Sequence, residues 1–87
     1  MSKQIASRRL LIAIVRRAVL DFAVYKDAPK EQQEQYRLGT DAAGWLFFDG
    51  KETRDEKGRY SYLYICDLLD LDPKAIRAKA ISLTRED

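Results

Sequence analysis

The sequence predicts an all-α protein of four or five helices, in which a long N-terminal helix packs on a helix-turn-helix in the C-terminal half. Three observations predict it. Residues 3–26, KQIASRRLLIAIVRRAVLDFAVYK, carry apolar side chains at three- and four-residue spacings with no Gly or Pro between them. Residues 60–83 read as two short helices joined by a tight turn. The runs that flank the charged stretch 49–59 lack the alternation of a half-buried strand.

In the first helix, Ser2 is a candidate cap, and Ile5, Ile12, Val15, Val19 and Phe22 form the buried stripe, widened by Leu11, Ile14, Ala18 and Tyr25. Arg9, Arg16 and Arg17 fall on the opposite side. Leu20 and Val24 lie outside the stripe, so the helix is apolar around most of its girth. That pattern belongs to a central helix or to one shared with a second chain. Its net charge is +5, from Lys3, Arg8, Arg9, Arg16, Arg17 and Lys26 against Asp21. Clustered arginines suit phosphate contact, and equally suit a solvated face whose stems lie on apolar surface.

Asp27-Ala28-Pro29 ends this helix, because the residue before a proline avoids helical dihedrals. Residues 30–38, KEQQEQYRL, read as a short exposed helix stopped by Gly39, or as one running straight into the next. Thr40-Asp41 can cap a helix through Ala42, Ala43, Trp45, Leu46 and Phe47, with Trp45 the expected centre of the core. Residues 49–59, DGKETRDEKGR, contain no apolar side chain and read as a mobile charged loop.

In the C-terminal unit, Tyr62, Ile65, Cys66, Leu68 and Leu69 recur at helical spacing, and Ser61 can cap their helix. Asp70 occupies the place where a helix end favours a left-handed residue, usually glycine. Asp72-Pro73 is a strong start signal: aspartate accepts from free amides, and proline at the first helical position loses no hydrogen bond. A second helix follows to about Leu83, with Ile76, Ala80 and Leu83 on one side. Cys66 is the small residue at the helical corner, with Leu71 and Ile76 as its apolar neighbours. A single cysteine in such a place is expected to be a buried core residue.

Several of these residues also carry a resemblance. Trp45-Leu46-Phe47, Tyr60-Ser61-Tyr62, Ile65-Cys66, Leu69-Asp70-Leu71-Asp72-Pro73 and Ile76-Arg77 look like small proteins of phage and prophage genomes. Those proteins carry a run similar to W-(L/V/I)-F-S-D, followed by F-S-F-x-x-I-C-x-x-L-G-L-D-P-x-x-(L/I/V)-R. The likeness covers roughly residues 42–83, about half of the chain. It implies a helix-turn-helix shape and, by shape alone, a DNA-binding or regulatory role. The chain departs from the pattern at Asp70, where Gly is usual, and at Tyr60 and Tyr62, where Phe is usual.

Composition bounds the function. The 87 residues make one domain, 46% hydrophobic and 34% charged, with a net charge of only +2. A core this small is marginal alone, and association is a common remedy. With one Cys and no His, neither a structural zinc site nor an internal disulfide is expected. No glycine-rich phosphate loop and no matched acid–base pair stands out, so we expect no cofactor and no enzyme. The arginines at 8–9 and 16–17 interrupt the apolar N-terminal run, so neither a membrane span nor a cleavable leader is expected, and the default location is cytoplasmic.

Two functions follow as expectations. One is a small DNA-binding transcription regulator. Lys74, Arg77, Ala78 and Ile81 would face the groove, and Arg8, Arg9, Arg16 and Arg17 would clamp the backbone. The other is a protein-interaction module docking on a host or phage protein, with the helix-turn-helix as scaffold only. Residues 61–87 sum to −1, whereas DNA-reading surfaces are usually basic. A homodimer through Leu10, Leu20 and Val24 of the first helix is compatible with either.

Overall fold

The computed structural model describes residues 7–84. The first helix starts at Ser7, whose hydroxyl accepts from the Leu10 amide at 3.1 Å, one of the amides a helix start leaves unpaired. Helix α1 then runs Arg8–Tyr25. The expected start at residue 3, the Ser2 cap and Ile5 lie outside the described residues. Leu11, Val15 and Phe22 are buried, and Ile14, Ala18 and Val19 pack at their edges. Ile12, expected in the stripe, is exposed, so the buried face is centred on the Leu11–Val15–Phe22 line instead. The helix stops at Lys26, and the Ala28 amide closes the turn on the Tyr25 carbonyl before Pro29.

Helix α2 spans Gln33–Leu46 without a break. Gly39 therefore does not end a helix, and Thr40-Asp41 does not begin one. Gly39 is buried against the end of α1, where a Cβ would collide with the Tyr25 carbonyl and press on the Lys26 amide. The missing side chain lets the two backbones touch, which outweighs the modest cost of a mid-helix glycine. From this contact α2 runs back along α1, so that Ala42 and Trp45 meet Ala18 and Ile14 across a shared cleft.

Trp45 is buried at the centre, as expected. Its ring meets Tyr62 edge-on at 5.4 Å, and its Nε1–H donates to the Tyr60 carbonyl at 2.8 Å. That bond ties α2 to the residue that follows the stretch expected to be a loose loop. Residues 53–61 instead form a short hairpin-like turn. Arg54 and Tyr60 bridge antiparallel, and the Ser61 amide donates to the Thr53 carbonyl at 3.0 Å. Gly58 takes a positive φ of 81° at its tip, where glycine costs least. No longer strand occurs among the described residues.

Helix α3 covers Tyr62–Leu69 and helix α4 Pro73–Thr84, joined by Asp70, Leu71 and Asp72. Tyr62, Ile65, Cys66 and Leu69 are buried, while Leu68 is exposed. Ser61 precedes α3 in extended conformation, but its hydroxyl makes no capping bond, and only its carbonyl accepts, from the Ile65 amide. Asp70 is left-handed (φ 59°, ψ 44°); its amide reaches the Asp67 carbonyl, and the Leu71 amide reaches that of Cys66 at 2.8 Å. This double closure is the Schellman arrangement, with an aspartate where glycine is most comfortable. Asp72 then caps α4, its Oδ1 accepting from Lys74 at 3.0 Å. Along α4, Ala80 is buried and Ile76 half-buried, but Leu83, expected beside them, is exposed.

Candidate interaction surfaces

Arg77 decides what α4 can present. It sits one turn after Pro73 and one before Ala80, which places it on the inner face of the helix rather than the outer one. Its Nε donates to the Leu46 carbonyl at 2.7 Å, Nη2 to the Phe48 carbonyl at 2.9 Å, and Nη1 to Asp49 Oδ1 at 2.9 Å. The guanidinium also lies over the Tyr62 ring, 4.8 Å from its centroid. A helix end leaves carbonyls without partners, and here a cation from a distant helix takes one at the end of α2. The side chain is 19% exposed. The groove-facing position expected for Arg77 is therefore corrected: its donors point into the fold. Leu46 and Arg77, two of the residues that carry the resemblance, are joined by this contact.

The other candidates on α4 remain outside. Lys74 and Ala78 are exposed, as are Ala75, Lys79 and Ser82. Ile81 is exposed at the lip of a cleft formed with Phe22, Lys26, Gly39 and Ala43. The outer face is thus two lysines around small side chains, with few groups able to read a base edge.

On α1, Arg8, Arg9, Arg16 and Arg17 are all exposed. Arg17 is engaged with Asp21 one turn on, its Nε 3.1 Å from both carboxylate oxygens. These arginines lie between positions 8 and 17, whereas the Ile81 cleft meets α1 at Phe22 and Lys26, at its far end. Arg77 does not bridge the two regions. Leu10, Leu20 and Val24 lie open beside the arginines, 52, 49 and 65% exposed.

A third surface was not legible as a site. The hairpin turn is fastened to α2 by charge: Lys57 Nζ lies 2.7 Å and Arg59 Nη1 2.9 Å from the two oxygens of Asp41. The Lys57 bond, with the Arg59 charge behind it, holds the Asp41 carboxyl below the usual range. Asp55 is also held low. Burial works against its charge, but the Arg59 amide and guanidinium and the Lys57 amide outweigh it. An open groove with Tyr36, Thr40, Gly44 and Phe48 along one side adjoins this network. The only hint in the sequence is the D-x-x-G of residues 55–58, a side chain able to hold a turn closed by glycine.

Burial raises the Tyr62 hydroxyl well above the ordinary tyrosine range, and that hydroxyl donates to the Pro73 carbonyl at 2.6 Å. Burial likewise pushes the Cys66 thiol up, away from the thiolate form a nucleophile needs. Among the described residues there is no cluster of three His, Cys, Asp or Glu able to hold a metal ion. No described helix is long and apolar enough to cross a membrane. No protein-family model matches the chain, nor does any curated protein or solved structure.

Proposed function

We propose that the chain is a protein-interaction module, in which a helix-turn-helix-like corner, α3 to α4, serves as scaffold and the outer face of α1 is the docking surface. The observation that carries this reading is the division of labour between arginine and leucine. The arginine best placed by sequence to read DNA is spent on the end of α2. Meanwhile Leu10, Leu20 and Val24 stay exposed along one helix. Large open apolar side chains grouped on one element mark a contact surface rather than ordinary exposure. The arginines around them suit the rim of such a surface, where charge steers a partner in.

The test is capture from lysate with three proteins: wild type, the double variant Leu20→Glu/Val24→Glu, and Lys74→Ala/Lys79→Ala on α4. The reading predicts partners held by the wild type and the α4 variant and lost with the α1 variant. Capture that follows the lysines instead would overturn it.

A DNA-binding regulator is the second reading. It is favoured by the three-residue corner between α3 and α4 and by the exposed Lys74, Lys79, Arg8, Arg9 and Arg16. On that reading these cations hold phosphates, and discrimination among bases falls to Lys74, Ala78 and Ser82.

A further inference from the structure

We infer that the partner of the α1 face is a second copy of the same chain, lying antiparallel along it; this rests on the docking role given to α1 above. Leu10, Ala13, Arg17, Leu20 and Val24 follow one another at alternating spacings of three and four. That repeat lines up as one seam on a helix, and all five are exposed. The seam extends over about 21 Å at 1.5 Å per residue.

Charge says which way the second helix runs. The first half of α1 carries Arg8, Arg9 and Arg16 with no acidic residue, and the second half, with the turn after it, is balanced, Arg17 paired with Asp21 and Lys26 with Asp27. The first turn has no acidic residue and the last turn no basic one, so Arg8 and Arg9 sit against the positive end of their own helix dipole. A parallel copy would stack arginines on arginines. An antiparallel copy sets the arginine-bearing start of each α1 beside the negative end of the partner's α1.

Size agrees with this orientation. Pairing about a two-fold axis near Arg17 puts Leu10 against Val24 and the small Ala13 against Leu20 of the other copy. Ala13 and Arg17 also form the rim of a cleft of about 470 Å³ between α1 and α2, floored by Trp45, Ala42 and Ile65. A seam beside a hole offers a docked leucine somewhere to go. Arg17 and Asp21 of the two copies meet near the axis, where each pair can exchange partners.

Sedimentation equilibrium and directed cross-linking test this together. The wild type is expected to be a dimer at high micromolar concentration, and Leu20→Glu/Val24→Glu a monomer with unchanged far-UV circular dichroism. That corresponds to association weakened at least about tenfold, as for loss of central apolar contacts. Cys66 is buried and stays in place for the cross-linking. Leu10→Cys mixed with Val24→Cys is expected to cross-link on mild oxidation, as is Arg17→Cys alone, while Leu10→Cys alone is not. A monomeric wild type, a dimer indifferent to the double variant, or faster 10-to-10 than 10-to-24 linkage would each overturn the inference. A monomeric wild type that still captures a different protein through Leu20 and Val24 would remove the second copy and leave the docking role standing.

Discussion

Removing the Arg77 side chain should cost this protein much of its stability, whatever it binds. Two of its hydrogen bonds go to main-chain carbonyls, at 2.7 and 2.9 Å. Bonds from a charged donor contribute about 1.5 kcal/mol each at the low end of their range. Stacking over the Tyr62 ring adds about 0.5–1 kcal/mol. The pair with Asp49 adds little, because that carboxylate is 80% exposed. Water will reach the freed carbonyls at the end of α2 and restore part of the loss, leaving about 3 kcal/mol for Arg77→Ala. In a domain of this size that is a fall in Tm of roughly 12–24 °C. Arg77→Lys keeps the charge but cannot span three acceptors with one ammonium, so roughly half the loss is expected. Trp45 is the only tryptophan, and its buried ring makes urea denaturation followed by fluorescence a direct assay. If Arg77→Ala unfolds within about 0.5 kcal/mol of the wild type, the scatter of an ordinary surface change, the internal role is wrong.

Four further outcomes follow from the same contacts. Gly39→Ala should destabilise by about 2 kcal/mol or more, since the new methyl meets main-chain atoms of Tyr25 that cannot swing aside; chemical denaturation reads this. Asp70→Gly should stabilise by about 0.5–1 kcal/mol by relieving the left-handed backbone, and a lowered midpoint would contradict the turn geometry. Cys66 should resist thiol reagents until the protein unfolds, and Cys66→Leu should cost about 1–3 kcal/mol through overpacking. The Asp41 and Asp55 carboxyls are held below their ordinary 3.8, so the stability they contribute is complete above that pH. It is lost as pH falls through their lower folded-state values. Acid titration of the wild type against Asp41→Asn should show the variant with the shallower loss.

The parts of this fold that were legible in the sequence are those governed by local rules. The left-handed Asp70, the Asp72 cap and Pro73 at the start of α4 each satisfy backbone groups within a few residues, so the corner could be drawn without the rest of the chain. The apolar spacing around Cys66 and the place of Trp45 were legible for the same reason. What was not legible depends on contacts between distant segments. Gly39 reads as a stop until Tyr25 is seen pressed against it. The 53–61 turn reads as loose until Asp41, far back in the chain, takes Lys57 and Arg59. Arg77 reads as a surface cation because the carbonyls it serves end a helix 31 residues earlier. One sign of its inward place was present: Pro73, Arg77, Ala80 and Thr84 share a face at spacings of four, three and four. Ile12, Leu68 and Leu83 were assigned to the core by helical spacing, and four helices do not have enough neighbours to cover them.

A DNA titration of the native protein separates a docking scaffold with an internal Arg77 from a reader of DNA. Fluorescence anisotropy against random genomic fragments, at low and at physiological salt, is the measurement. A docking scaffold should show weak association that is equal for all fragments, falls steeply with salt and vanishes at physiological ionic strength, as a few phosphate contacts would give. A fragment held at physiological salt about a thousandfold or more tighter than bulk DNA, with that preference lost in Lys74→Ala, would contradict it.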